Sequence, residues 1–180
     1  MILPIISYGS SVLKKTAKEI TSDYPNLSEL IANMWETMYA ANGVGLAAPQ
    51  IGLSLRIFVI DASPFVDEEN MSVKEIETIK TFKKVFINPK IISEEGKLWD
   101  FNEGCLSIPG LRGYVERPRN IRVDYLDEDA KPKSIEIDEF LATVFQHEID
   151  HLIGRLYVDR MKDITTLTYE DEMVLESAEN

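Results

Sequence analysis

The sequence predicts an α+β protein: antiparallel β-sheets packed around a central helix. Three observations predict this class. The patterned segments run helix, several strands, helix, without the strand–helix alternation of a parallel sheet. Two of the strand-like runs, 121–126 and 134–137, are joined by the short polar stretch Asp127-Glu128-Asp129-Ala130, which is a hairpin-type connection. The last helical stretch carries apolar residues on more than one stripe, as expected of a helix buried on several sides.

The elements follow in order. Pro25-Asn26 opens a helix whose Leu27, Leu30, Ile31, Met34, Trp35, Met38 and Tyr39 keep the rhythm of one apolar face. Asn26 and Glu29 have the spacing of a capping box, and Asn42-Gly43 stops the helix. Residues 43–50, GVGLAAPQ, hold two glycines and no charge, a composition suited to lying close against something else. Residues 55–61 read as a buried strand. Residues 63–84 are charged and weakly patterned, a surface excursion with room for a short helix. Residues 85–88 and 91–92 read as strands broken at Pro89. The second helix covers 138–153, with Phe140, Leu141, Val144, Phe145, Ile149, Leu152 and Ile153 as its apolar residues, and Gly154 ends it.

A chain of 180 residues is the length of one ordinary domain, so 1–180 is expected to form a single unit with a surface insertion at about 64–82. A hydrophobic content of 44% supports a sizeable core. The net charge of -12 argues against DNA and against an anionic membrane surface, because both require a cationic face. One cysteine excludes an intrachain disulfide. The apolar start Met1-Ile2-Leu3-Pro4-Ile5-Ile6 lacks the basic flank and long apolar stretch of a signal peptide. The expected location is the cytoplasm.

The chain has two histidines, and both lie in His147-Glu148-Ile149-Asp150-His151 within the second helix. Residues four apart stand one turn apart on one face, so both imidazoles can reach a single ion. That makes the central helix a metal-binding one. Glu148 flanks the same place and can carry a proton from water to a leaving group. A catalytic ion usually takes three protein ligands and keeps one open position. There is no third histidine, and none of the many glutamates is marked out by its context. Cys105, in Glu103-Gly104-Cys105-Leu106-Ser107, is the alternative. A lone cysteine is ordinarily a small buried hydrophobe; beside two histidines short of a third ligand, the balance tips towards ligation. Thiolate and imidazole suit zinc or iron rather than magnesium or calcium.

GVGLAAPQ at 43–50, EGCLS at 103–107 and HEIDH at 147–151 together resemble the three ordered motifs of the peptide deformylases, most of all the bacterial and organellar branch. The resemblance spans roughly residues 1–160. It implies that Cys105, His147 and His151 hold one divalent metal ion, ferrous iron in the cell, with nickel or cobalt as active substitutes and zinc as a poorer one. It implies Glu148 as general acid and base, Gln50 and the Leu106 backbone N–H as donors to the developing oxyanion, and Gly45 as a place where a substrate backbone can pair. It further implies that Val44, Phe101, Phe140, Thr143 and Val144 line a methionine pocket, with Arg112 near the substrate backbone. Thr143 departs from the branched aliphatic residue expected there. The implied reaction removes the N-formyl group from the initiator methionine of nascent peptides and releases formate.

Two other readings use the same residues: a zinc endopeptidase built on the HEIDH helix, and a non-catalytic module in which the histidines hold a structural ion. The first lacks a downstream third ligand in a recognisable context, and the second lacks the several cysteines that usually close a structural site. The tail 163–180 has six acidic residues and no Lys or Arg. It is expected to be acidic and solvated from 169 onward, and any ribosome association to be weak or to use Lys14-Lys15 or Lys83-Lys84 instead.

Overall fold

The computed structural model describes residues 1–170. The elements are α1 (Leu27–Ala40), β1 (Gly45–Ala47), β2 (Ile57–Asp61), α2 (Val73–Lys80), β3 (Lys83–Cys105), β4 (Ile108–Leu126), β5 (Pro132–Asp138), α3 (Glu139–Leu152), α4 (Tyr157–Arg160) and β6 (Thr168–Tyr169). The strands are ordered β1-β2-β3-β4-β5, β6 pairs with β4, and every one of these pairings is antiparallel. The α+β class with antiparallel strands is the observed one. No helix of the described residues is long and apolar enough to cross a membrane.

The first three strands separate two apolar layers. Alternate side chains of a strand face opposite sides, so Phe58, Ile60 and Phe86 meet Phe145 and Leu141 of α3, while Ile57, Val59, Val85 and Ile87 meet Met34 and Met38 of α1. Phe145 packs edge-on against both Phe58 and Phe86, with ring centroids 5.1 and 5.0 Å away. Helix α3 is thus pinned between β1, β2, β4 and β5, and most of its residues are buried. At its end Gly154 has φ 77, and a Cβ there would run into the Lys14 carbonyl, so glycine is required on both counts.

Several expectations are corrected. Asn26 does precede α1, but it sits at φ 56 and its side chain makes no cap hydrogen bond; an N-cap needs an extended backbone to aim its oxygen at the first turn. The capping box appears instead at α2, where Ser72 and Glu75 exchange hydrogen bonds of 2.8 and 3.2 Å. Pro89 does not end a strand. β3 continues past it through a register shift between Ile87 and Lys90, with Asn88 at φ 49. The largest unmarked feature is the β3–β4 hairpin from about 93 to 120, whose two strands turn at 106–107 and deliver Cys105. The tail also differs: Tyr169 is paired to Leu111 in β6 and Glu170 lies 3.7 Å from Arg112. The rest of the expected solvated end, 171–180, lies outside the described residues.

Candidate metal centre

Helix α3 and the turn of the β3–β4 hairpin bring three donor atoms together. The ligand atoms of Cys105, His147 and His151 all lie within 4.8 Å of one another, and Cys105 Sγ is 3.5 Å from His151 Nε2. A tetrahedral ion with ordinary Zn–S and Zn–N bonds separates its sulfur and nitrogen ligands by roughly 3.6 Å, so the donor set fits a single ion.

Behind the histidines is a chain of buried ion pairs. Glu103 Oε1 is 2.8 Å from His147 Nδ1, which leaves His147 Nε2 to face the cysteine. Arg117 donates to both oxygens of Glu103, at 2.6 and 3.0 Å, and to Asp150 at 3.0 Å. Arg160 closes the chain on Asp150 at 2.9 Å. Burial alone would raise the Glu103 carboxyl, but His147 and Arg117 outweigh it and hold the group below its ordinary range. The two histidines diverge. Burial opposes charge on both, yet Cys105 and Glu103 push His147 well above the usual imidazole value, while His147 and Arg117 add to burial in pushing His151 well below it.

In front of the donors lies a cavity of about 660 Å³. Its wall includes every site residue predicted from the sequence except His151, which is fully buried behind it. Burial raises the Glu148 carboxyl to about 7; the nearby His147 lowers it and Glu103 raises it further. Gly45 has a second reason to be glycine, because a Cβ there would sit 2.6 Å from Glu148 Oε1. Gln50 is held by the Ala47 N–H, which donates to its Oε1 at 3.0 Å, and its Nε2 points at Ser107 Oγ (3.2 Å) and Cys105 Sγ (3.6 Å). Arg112 donates to the Asn102 carbonyl at 2.7 Å. Phe140, Thr143, Val144 and His147 follow i, i+3, i+4, i+7 along one face of α3, so the apolar part of the cavity adjoins the donors directly.

Glu103, Arg117, Asp150 and Ser107 are not marked by sequence alone. Glu103 had one available signal: it lies two residues before Cys105, hence on the same face of a strand. Arg117 had none, since its partners are 14 and 33 residues away. Phe65 and Glu170 also reach the cavity, from the 64–82 excursion and from the tail.

The polypeptide deformylase family model matches residues 2–166. A peptide deformylase of Flavobacterium johnsoniae is 53% identical over 164 residues, covering 91% of this chain and 84% of that one. The crystal structure of a peptide deformylase from Synechococcus elongatus in complex with actinonin is 39% identical, with a TM-score of 0.77 over 91% of this chain and 81% of the other. A Met-Ala-Ser-bound class I type b peptide deformylase from Acinetobacter baumannii is 31% identical, with a TM-score of 0.78 over 89% and 99%. Neither an endopeptidase nor a structural metal module is supported by these relatives. With a cysteine sulfur and two imidazoles converging on a cavity beside a buried glutamate, and with this match over nearly its whole described length, the chain belongs to the polypeptide deformylase family of metal-dependent hydrolases.

Proposed function

We propose that residues 1–180 form one catalytic unit that removes the formyl group from the initiator methionine of nascent peptides, in the cytoplasm, through a single ion held by Cys105, His147 and His151. The observation that carries this reading is the convergence of three unlike groups on one cavity: the donor triad, the Glu148 carboxyl and the Gln50 amide. When bound by Cys105, His147 and His151, the ion, ferrous iron in the cell, would supply Lewis-acid polarisation and a nucleophile at neutral pH. Glu148 takes the proton of the attacking water and hands it to the leaving nitrogen as the C–N bond breaks, so formate and a free amine result. Its raised pKa, about 7, suits a group that must both accept and donate. Gln50 Nε2 and the Leu106 N–H donate to the formyl oxygen as charge develops on it. Gly45 leaves room for the Glu148 carboxylate and for a peptide backbone. Phe101, Phe140, Val44, Val144 and Thr143 receive the methionine side chain, and Arg112 faces the peptide beyond it. The Met-Ala-Ser peptide bound by the Acinetobacter relative supports a peptide of this kind as ligand. Any ribosome association is weak, or uses a surface other than the acidic tail, such as the Lys14-Lys15 or Lys83-Lys84 region.

The test is formate release from formyl-Met peptides, run anaerobically with iron, nickel, cobalt and zinc. Metal-dependent release is expected, with peroxide inactivating the iron form faster than the nickel form, because ferrous iron held beside Cys105 would itself be oxidised by peroxide and expose the sulfur to oxidation, whereas nickel(II) would resist it. Absence of formate with every metal would overturn the reading. Gln50→Leu should lower kcat about 10²–10³-fold with little change in KM; a change in KM alone would make Gln50 a substrate clamp.

A further inference from the structure

Besides Cys105, the ionisable side chains in the cavity wall are Glu103, Arg112, His147, Glu148 and Glu170 among the described residues. Glu103, His147 and Glu148 are buried. Arg112 and Glu170 are the two that solvent reaches, with side chains 34% and 53% exposed. Arg112 pairs with Gly104 across the β3–β4 hairpin, one residue before Cys105, and its guanidinium lies over that glycine: a Cβ there would meet Arg112 Nη1 at 2.9 Å. β6 pairs with β4 at Arg112–Thr168 and Leu111–Tyr169, and Glu170 follows at once, so the carboxylate is carried to the cavity by the end of the strand. Both terminal nitrogens of Arg112 face acceptors of this chain. Nη2 donates to the Asn102 carbonyl at 2.7 Å, and Nη1 lies 3.7 Å from Glu170 Oε1. The cation is thus already answered, whereas the Glu170 side chain keeps half its surface in solvent. Gly110, next along β4 from the Leu111–Tyr169 pair, also lines the cavity, and a Cβ added there would meet nothing within 4 Å. There is open space beside the carboxylate for a further side chain.

On the reading that formyl-methionyl peptides enter this cavity, we propose that Glu170 is a specificity-determining residue: its carboxylate favours substrates with lysine or arginine in one of the two positions after the methionine and disfavours those with aspartate or glutamate there. Two effects act in the same direction. The carboxylate attracts a cationic side chain at the mouth and repels an anionic one. By engaging Arg112 it also withholds the cation that an acidic side chain would otherwise find. The net charge of -12 adds a longer-range field of the same sign. The contact is remote from the formyl group, so it is made equally in the bound substrate and in the transition state, and its effect belongs in KM rather than in kcat.

The experiment measures kcat and KM of the metal-loaded wild type, Glu170→Gln, Glu170→Asp and Glu170→Lys on two series of peptide amides, formyl-Met-X-Ala and formyl-Met-Ala-X, with X lysine, alanine or glutamate. Expected for the wild type is a Lys-over-Glu ratio in kcat/KM of about three- to ten-fold in at least one series, the range of an exposed charge contact, carried by KM. The ratio should shrink in about 1 M salt, where the screening length is about 3 Å. Glu170→Gln should cut the ratio about three-fold or more, Glu170→Asp should keep most of it, and Glu170→Lys should invert it. A ratio unchanged in Glu170→Gln would overturn the inference while leaving the deformylase reading intact. That includes the case in which all peptides lose activity by one common factor, the signature of a residue that only braces Arg112. Absence of formate from every peptide would instead overturn that reading, and the inference with it.

Discussion

The two sides of the donor triad are built on opposite terms. Behind it, Glu103, Arg117, Asp150 and Arg160 are charged and closely paired, and each buried carboxylate oxygen among them meets a nitrogen. In front of it, Glu148 Oε2 and Thr143 Oγ1 are buried without a hydrogen-bond partner among the described residues. A paired charge holds its neighbours in place, whereas an unpaired polar atom is held ready for something that arrives. The rear of the site is therefore expected to govern folding and donor geometry, and the front to govern turnover.

The largest effect should come from the front. Glu148→Ala is expected to keep one metal per chain and the wild-type melting curve while losing about 10²–10⁴-fold in kcat. Near-normal turnover in that metal-loaded variant would erase the distinction between the two sides. The rear should respond in the opposite currency. Arg117→Met strands Glu103 and weakens the hold on Asp150, and a broken buried pair destabilises by about 3–5 kcal/mol, read as a fall in the denaturation midpoint. Because Arg117 and His147 hold Glu103 below its ordinary 4.5, this stabilisation is complete above that pH and fades as pH falls through the depressed value. The gap between wild type and variant should close on acidification in the same sense. Gly45→Ala gives the smallest effect and the sharpest test. Its methyl group would press on Glu148 from the cavity side, and a displacement of about 1 Å can cost about 10²-fold in rate. Stability and metal content should barely move; a loss of metal would mean that the front and rear are mechanically coupled.

The front of the site was largely legible in the sequence, and the rear was not. His147, Glu148 and His151 are close in sequence, and helical periodicity alone puts both imidazoles on one face. Cys105 could be chosen because the chain offers no other thiol. The rear depends on pairings across long separations: Arg117 reaches Glu103 across the β3–β4 hairpin and Asp150 on α3. That hairpin itself is hard to read, because much of β3 from Glu94 to Asp100 is exposed on both faces and carries charges rather than an alternating apolar pattern. Asn26 marks the general limit: the residue sits at the helix start, but its backbone conformation, which no spacing rule specifies, decides whether the cap forms.

Strand β2 is buried on both faces along all five of its residues, with α1 on one side and α3 on the other. Amide protons there cannot reach solvent by fraying or by a local opening; their exchange with deuterium should wait for the whole chain to unfold and so report the global stability. Among the described residues β6 is two residues long and pairs with β4 at Leu111 and Arg112 alone, so its amides should exchange orders of magnitude sooner. The Arg112–Glu170 contact at the cavity mouth thus opens on a clock of its own, independent of the folding of the helix that carries the histidines.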